Sequence, residues 1–86
     1  MQQVVESKIS YPRELLLSLK ETEQSFIREL KILAAVKLFE MGKLSLGKAA
    51  QLADMNKYQF ILTLGEHKVS IFETSYEELK KDIANA

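Results

Sequence analysis

Cysteine is absent from the chain, and its absence excludes two kinds of site at once. Without it the protein can form neither a disulfide framework nor a thiolate metal site. A lack of cysteine also fits a reducing compartment, so we expect a cytoplasmic location.

Long apolar runs are missing as well. The most apolar stretch, ILAAVKLF at residues 32–39, includes Lys37 and is far shorter than the roughly 20 residues a helix needs to span a bilayer. The amino end alternates polar and apolar residues and so lacks the core of a signal peptide. We therefore predict that the protein makes no membrane contact.

The residue groups that enzymes use are also scarce. His67 is the only histidine, so no pair of metal-binding histidines can exist. The carboxylates near the carboxyl end, Glu77, Glu78 and Asp82, are typical of a solvated helix face and form no defined acid–base pair. GKLSLGKA at residues 42–49 has the spacing of a phosphate-binding loop, but Ala49 replaces its hydroxyl residue. We predict no enzymatic activity, no metal and no cofactor.

Net charge is zero, with 12 basic and 12 acidic residues. Proteins that bind DNA are usually basic, so this balance argues against a strong electrostatic attraction to phosphates. The charge is nevertheless uneven: residues 43–68 carry a small basic excess, and the residues after them carry an acidic one.

The chain of 86 residues is 47% apolar, which is more than a small core needs to bury. We therefore predict one domain, residues 1–86, that covers part of its apolar surface with a second copy. In the predicted long helix, the polar side that begins near Gln24 becomes apolar at Ile32, Ala35 and Phe39. This face is either core within one subunit or a dimer interface, and we favour the dimer interface.

Local patterns predict a mainly α fold with two short β-strands that pair within a subunit or across a dimer. Thr22 is a candidate N-cap for the long helix, and Gly42 is a candidate stop. The predicted order is a strand at 1–11, core and dimer helices at 12–42, a helix-turn-helix at 44–65, and a strand with a C-terminal helix at 68–86.

The segment LSLGKAAQLADMNKYQFIL has the layout of two short helices joined by a tight turn. Ser45 caps the first helix, and the small face of Ala49, Ala50 and Ala53 allows the second helix to cross it closely. Asp54 is predicted to adopt the left-handed turn conformation. Met55 then fills the turn, and Asn56 caps the second helix.

The second of these helices is predicted to present an outward face that includes Tyr58, Leu62 and Thr63. Gln59 could pair with adenine, and Thr63 could meet a thymine methyl group. Lysines and helix amino ends suit phosphates. The predicted DNA-contacting residues are Ser45, Lys48, Asn56, Lys57, Tyr58, Gln59 and Thr63. The same helices could also pack for stability alone, or dock a protein through Tyr58 and Leu62.

Nearly the whole chain, and especially AVKLFEMGKLSLGKAAQLA and EELKKDI, resembles a family of small uncharacterised prokaryotic proteins regarded as antitoxin-like. Such proteins are often encoded beside PIN-domain nuclease toxins and are thought to contain a helix-turn-helix. This chain has Asp54 where the family usually has glycine. It also has Lys57 and Tyr58 where the family often has an arginine and an aromatic residue.

The resemblance implies a dimeric, DNA-binding antitoxin that represses its own operon and neutralises a PIN-domain toxin. Each subunit would then present residues 56–63 to operator DNA. The acidic tail helix, residues 76–83, would engage a basic nuclease. The alternative is a protein-interaction module that binds a partner protein and never contacts DNA.

Overall fold

The computed structural model describes residues 3–69, and this part of the chain contains four helices. Helix α1 spans Glu14–Leu19, α2 spans Glu23–Glu40, α3 spans Leu46–Leu52 and α4 spans Lys57–Glu66. The predicted C-terminal helix lies outside the described residues.

The prediction of two short β-strands is wrong for the described part of the chain, because residues 3–69 include no strand. Residues 3–11 form neither a helix nor a strand, and Val4 and Val5 are each 86% exposed. Alternating β-branched residues favour an extended backbone, but a strand also needs a partner. The second strand was predicted to begin at Lys68. Lys68 has a left-handed φ of 58°, which does not suit a strand, and the segment after Val69 lies outside the described residues.

Helix α1 packs differently from its sequence pattern. Leu15, Leu16 and Leu19 suggest a buried apolar side, yet no residue of α1 is buried. The link to the rest of the molecule runs through aromatic rings, since Tyr11 and Phe26 meet edge to face with centroids 4.7 Å apart. The described residues therefore cover the apolar side of α1 only in part: Leu16 is partly buried and Leu19 is exposed.

The core lies where α2, α3 and α4 meet. Phe60, Leu46 and Leu64 are fully buried, and the ring of Phe60 packs edge to face against that of Phe39 at 6.2 Å between centroids. Aromatic pairs with this geometry add to the stabilisation that apolar burial provides. The remaining buried apolar residues are Ala35, Val36, Ala49, Ala50 and Ala53.

Side-chain caps define where the helices begin. The Thr22 hydroxyl oxygen accepts a hydrogen bond from the Ser25 N–H, and the Ser25 hydroxyl oxygen accepts one from the Thr22 N–H. Ser45 and Asn56 cap α3 and α4 in the predicted positions. Each cap satisfies N–H groups that have no partner within the helix, and all three predicted N-caps are confirmed.

Left-handed residues define where the helices end. Lys20, Gly42, Asp54 and Lys68 have φ between 57° and 75°, and each follows one of the four described helices. After α3, for example, the N–H groups of Asp54 and Met55 donate to carbonyls of the last helical turn. The stop at Gly42 is confirmed, and α4 continues through Gly65 to Glu66.

The residues predicted to form the dimer interface pack in or against the core of a single chain. Ala35 is 0% exposed and Phe39 is 6% exposed, both in the core, and the partly buried Ile32 packs against that core. Ala35 and Phe39 are therefore not available to a second copy, and their placement in a dimer interface is wrong. Ile32 is only partly buried, so its placement there stays a prediction. Within residues 3–69, no helix combines the length and apolar character needed to cross a membrane.

Candidate nucleic-acid interface on the third and fourth helices

The turn between α3 and α4 brings these two helices into contact. Asp54 has a φ of 57°, in the left-handed conformation predicted from the sequence. Its carboxylate accepts a hydrogen bond from the Lys31 ammonium group on α2 at 2.5 Å. Met55 follows and is partly buried against the core. The turn is therefore attached to the long helix on one side and to the core on the other.

Small residues allow the close packing that the turn requires. Ala49, Ala50 and Ala53 are all at most 3% exposed. A larger side chain at any of them would meet close-packed neighbours, because protein interiors contain few voids. The small face predicted for α3 is confirmed.

The first turn of α4 is held by a reciprocal pair of hydrogen bonds. Asn56 Oδ1 accepts from the Gln59 N–H at 2.8 Å, and Gln59 Oε1 accepts from the Asn56 N–H at 3.2 Å. Gln59 is exposed, but its carbonyl oxygen is engaged in this cap. Only its amide N–H groups remain to donate to another molecule. The signal that could have shown this in the sequence is the three-residue spacing from Asn56 to Gln59.

The exposed face of α4 is built largely from two apolar side chains. Tyr58 is 71% exposed and Leu62 is 54% exposed, on a helix whose other apolar side is buried. Tyr58 and Gln59 thus lie at the surface, as the sequence predicted. The phenol ring adds a polar hydroxyl to a large apolar contact surface.

The prediction that Thr63 faces outward is wrong, because Thr63 is only 7% exposed. Its hydroxyl donates to the Gln59 carbonyl at 3.1 Å and lies 3.4 Å from the Met55 sulfur. Threonine can bury its hydroxyl by bonding to the carbonyl four residues earlier in a helix. The residue therefore belongs to the packing of the turn, and its side chain does not reach a ligand on the exposed face.

A cleft of about 390 Å³ lies between the amino ends of α3 and α4. Lys48 is exposed, whereas Lys57 is partly buried. The Ser45 hydroxyl oxygen accepts from the Lys48 N–H at 3.2 Å. The cleft is lined by the four residues that the sequence predicts to lie near phosphates, which are Ser45, Lys48, Asn56 and Lys57.

Within residues 3–69, no group of three or more histidine, cysteine or carboxylate side chains is placed to hold a metal ion. His67 is exposed, and its Nδ1 atom lies 2.8 Å from the Thr63 carbonyl oxygen of its own helix. What this region offers chemically is an exposed aromatic and amide face beside a lysine-bearing cleft.

Comparison with known proteins places the chain in a family. Residues 2–86 match the uncharacterised protein family UPF0175. The chain belongs to that family. A UPF0175 protein of Archaeoglobus fulgidus is 39% identical over 61 residues, which cover 71% of this chain and 69% of the relative. Another, from Aeropyrum pernix, is 38% identical over 56 residues, covering 65% of this chain and 71% of the relative.

UPF0175 membership agrees with the resemblance to small uncharacterised prokaryotic proteins. No solved structure matches the chain. The names of the UPF0175 relatives state no activity. The function must therefore be argued from the site itself.

Proposed function

We propose that this protein is a DNA-binding transcriptional regulator of the antitoxin type, in which α3 and α4 act as a helix-turn-helix. The observation that carries the proposal is the position of the exposed α4 face beside the cleft that holds Lys48 and Lys57. A recognition helix needs side chains that reach base edges and neighbouring groups that hold phosphates. The α3–α4 unit supplies both.

Base contacts would come from Tyr58, Gln59 and Leu62. Because Gln59 Oε1 accepts from Asn56, the free part of this side chain is its amide donor. A lone donor matches an acceptor such as a purine N7. The two-bond pair with adenine would require Oε1 to accept a second hydrogen bond while it caps Asn56, or the cap to open. Leu62 offers an apolar contact to a thymine methyl group, the role the sequence had also given to Thr63.

Phosphate contacts would come from Lys48 and Lys57, together with the first N–H groups of α4. These groups are few, and the chain has no net charge, so attraction over long distances is weak. Binding should therefore be modest and strongly dependent on salt. About six phosphate contacts per dimer would reduce affinity on the order of 10³-fold between 50 and 200 mM salt.

The antitoxin part of the proposal rests on the resemblance to proteins encoded beside PIN-domain nucleases. The acidic residues 76–83 are the segment proposed to bind such a basic nuclease, and they lie outside the described residues. A tail with the opposite charge to its target would speed association. DNA binding by α4 and toxin binding by the tail would then use separate parts of one chain.

The test is titration of the protein with labelled DNA from upstream of its own gene, at 50 to 200 mM salt. Lys48→Ala should weaken binding to all sequences and lower the slope of log affinity against log salt by about 1 per subunit. Gln59→Glu keeps the capping oxygen while removing the donor and adding a negative charge. This substitution should abolish sequence preference without unfolding α4.

Two matched variants serve as controls. Lys37→Ala removes an exposed lysine of α2, outside the α3–α4 unit, and should leave affinity and salt slope unchanged. Thr63→Val keeps the buried shape and removes only the hydroxyl, so it should also bind DNA like the wild type. If the wild type forms no complex with this DNA at 50 mM salt, the proposal fails.

A second candidate is a protein-interaction module, and the burial of Thr63 favours it. Without Thr63, the outward face of α4 is dominated by Tyr58 and Leu62, and exposed apolar residues of this kind are common in protein interfaces. Co-purification with the product of the neighbouring gene tests this alternative. Tyr58→Ala and Leu62→Ala would weaken the complex, and Lys48→Ala would not.

A further inference from the structure

An apolar groove of about 650 Å³ lies between the N-terminal arm, residues 3–10, and one side of α2. Val4, Val5 and Ile9 form the wall on the arm and are 86%, 86% and 54% exposed. The opposite wall comes from α2, and the remaining contact comes from α3. These residues are Ile27, Leu30, Ala34 and Leu52. The groove is thus lined by apolar side chains that the described chain leaves open to water.

Helix α1 is a second apolar surface, which the described part of the chain covers only in part. Leu17 is 80% exposed, Leu19 is 52% exposed and Leu15 is 38% exposed. A helix of six residues cannot be stable in water through its own hydrogen bonds. It gains stability when its leucines pack against another surface.

The two surfaces differ in shape in a complementary way. The groove is concave and runs along α2, whereas α1 is a short convex helix. Leu17, its most exposed leucine, projects from the side opposite Leu15 and Leu19, because residues two apart in a helix do not share a face. Because every copy carries both, a two-fold arrangement can place the α1 helix of each copy in the groove of the other. Such an arrangement is closed, so it stops at a dimer.

The area available fits a dimer that dissociates on dilution. A fully buried aliphatic side chain removes roughly 60–120 Å² of apolar surface from water. Three arm residues and Leu17 with these exposures would therefore supply roughly 180–370 Å² per copy. With the polar share of a homodimer interface this becomes roughly 280–570 Å² per copy, and the α2 wall of the groove adds to it. A standard interface buries about 800 Å² per partner, so this contact is weaker than a permanent one.

Charge also permits the contact. The arm carries Glu6 and Lys8, and Lys31 in the wall of the groove is already paired with Asp54. Helix α1 carries Glu14, with Arg13 before it and Lys20 at its end. Both surfaces thus have acidic and basic side chains, so two copies meeting here would not bring charges of a single sign together.

We propose that this arm–α1 surface is the homodimer interface, with α1 of each copy seated in the groove between the arm and α2 of the other. The inference goes beyond the proposed function, because it requires no DNA. It replaces the earlier placement at Ala35 and Phe39, which are buried in the core of a single chain.

The test is the molar mass of the full chain, measured by sedimentation over a range of concentrations without DNA. The wild type should be a dimer that dissociates on dilution. Leu17→Glu, on the helix, and Val5→Glu, on the groove, should each raise the dissociation constant at least about tenfold, because each puts an unpaired charge into an apolar contact. Both positions are exposed in one chain, so neither change should unfold it.

Leu62→Glu is the matched control, because Leu62 is exposed to a similar extent as Leu19 but lies on α4. It should remain as dimeric as the wild type. A wild type that stays monomeric would overturn the proposal and assign the groove to residues 70–86 or to a different protein. A Leu17→Glu or Val5→Glu variant that still dimerises like the wild type would overturn it as well.

Discussion

Asp54 occupies a backbone conformation that is more easily adopted by glycine. Its φ of 57° is left-handed, a region in which a side chain crowds the backbone. Asp tolerates this region better than most residues, and here its carboxylate also binds Lys31. The side chains of that pair are 41% and 73% exposed, so the ion pair is worth at most about 1 kcal/mol.

Substitutions at position 54 separate the effect of the backbone conformation on stability from the effect of the ion pair. Asp54→Gly and Asp54→Ala both remove the carboxylate, but only alanine places a Cβ in the left-handed region. We expect the alanine variant to unfold at lower urea concentration and to be less stable than the glycine variant by about 1–2 kcal/mol. Asp54→Asn should stay within about 1 kcal/mol of the wild type. Equal stability of the glycine and alanine variants would show that the backbone conformation carries no cost.

Glu21 lies in the turn between α1 and α2, close to the carboxyl group of Glu29. Hydrogen bonding with Glu29 raises the pKa of Glu21 above its usual 4.5, and desolvation and the negative charge of Glu29 act in the same direction. Its Oε2 atom is shielded from water and accepts no hydrogen bond from any donor in residues 3–69, so only a proton shared with Glu29 could satisfy it. A protonated Glu21 could donate to Glu29, whereas two ionised carboxylates repel each other.

The raised pKa predicts how stability depends on pH. The folded chain binds the Glu21 proton more tightly than the unfolded chain, so this contribution is complete below pH 4.5 and is lost as pH rises through the higher folded pKa. Glu21→Gln should be more stable than the wild type near neutral pH, and the advantage should shrink on acidification. Urea midpoints of both proteins at several pH values measure this. Parallel curves for the two proteins would contradict the prediction, and Glu14→Gln provides an exposed control.

At the scale of helices, local chemistry predicted the ends well. Thr22, Ser45 and Asn56 begin helices where their side chains were expected to cap, and Gly42 ends α2. These signals act over three or four residues, so they can be read from the sequence alone. The helix ends at Lys20 and Lys68 could not be predicted in this way, because lysine is not typical of a left-handed position.

Interactions between distant residues explain the predictions that were wrong. The arm has strand-like alternation, but a strand depends on a partner that the pattern does not specify. Ile32, Ala35 and Phe39 were correctly recognised as an apolar face, but the sequence could not show that α3 and α4 cover it. Thr63 was assigned to the surface from its chemistry, although its hydroxyl can be satisfied inside the helix.

At the scale of the molecule, the proposed site and the proposed interface occupy different elements. The proposed DNA face belongs to α3 and α4, whereas the proposed dimer surface belongs to the arm, α1 and one side of α2. To bind two half-sites separated by one turn of DNA, the dimer would have to hold its α4 helices about 34–36 Å apart.

This separation predicts that dimerisation affects DNA affinity without touching the DNA face. A wild-type dimer should bind a site with two correctly spaced half-sites about 10²-fold or more tightly than a single half-site, because the second contact is intramolecular. Leu17→Glu leaves α4 intact and should bind both DNAs equally weakly, whereas Tyr58→Ala should weaken both while keeping the wild-type preference. Fluorescence anisotropy with the two DNAs measures each ratio. A Leu17→Glu protein that retains the full preference for paired half-sites would show that α1 does not join the two copies on DNA.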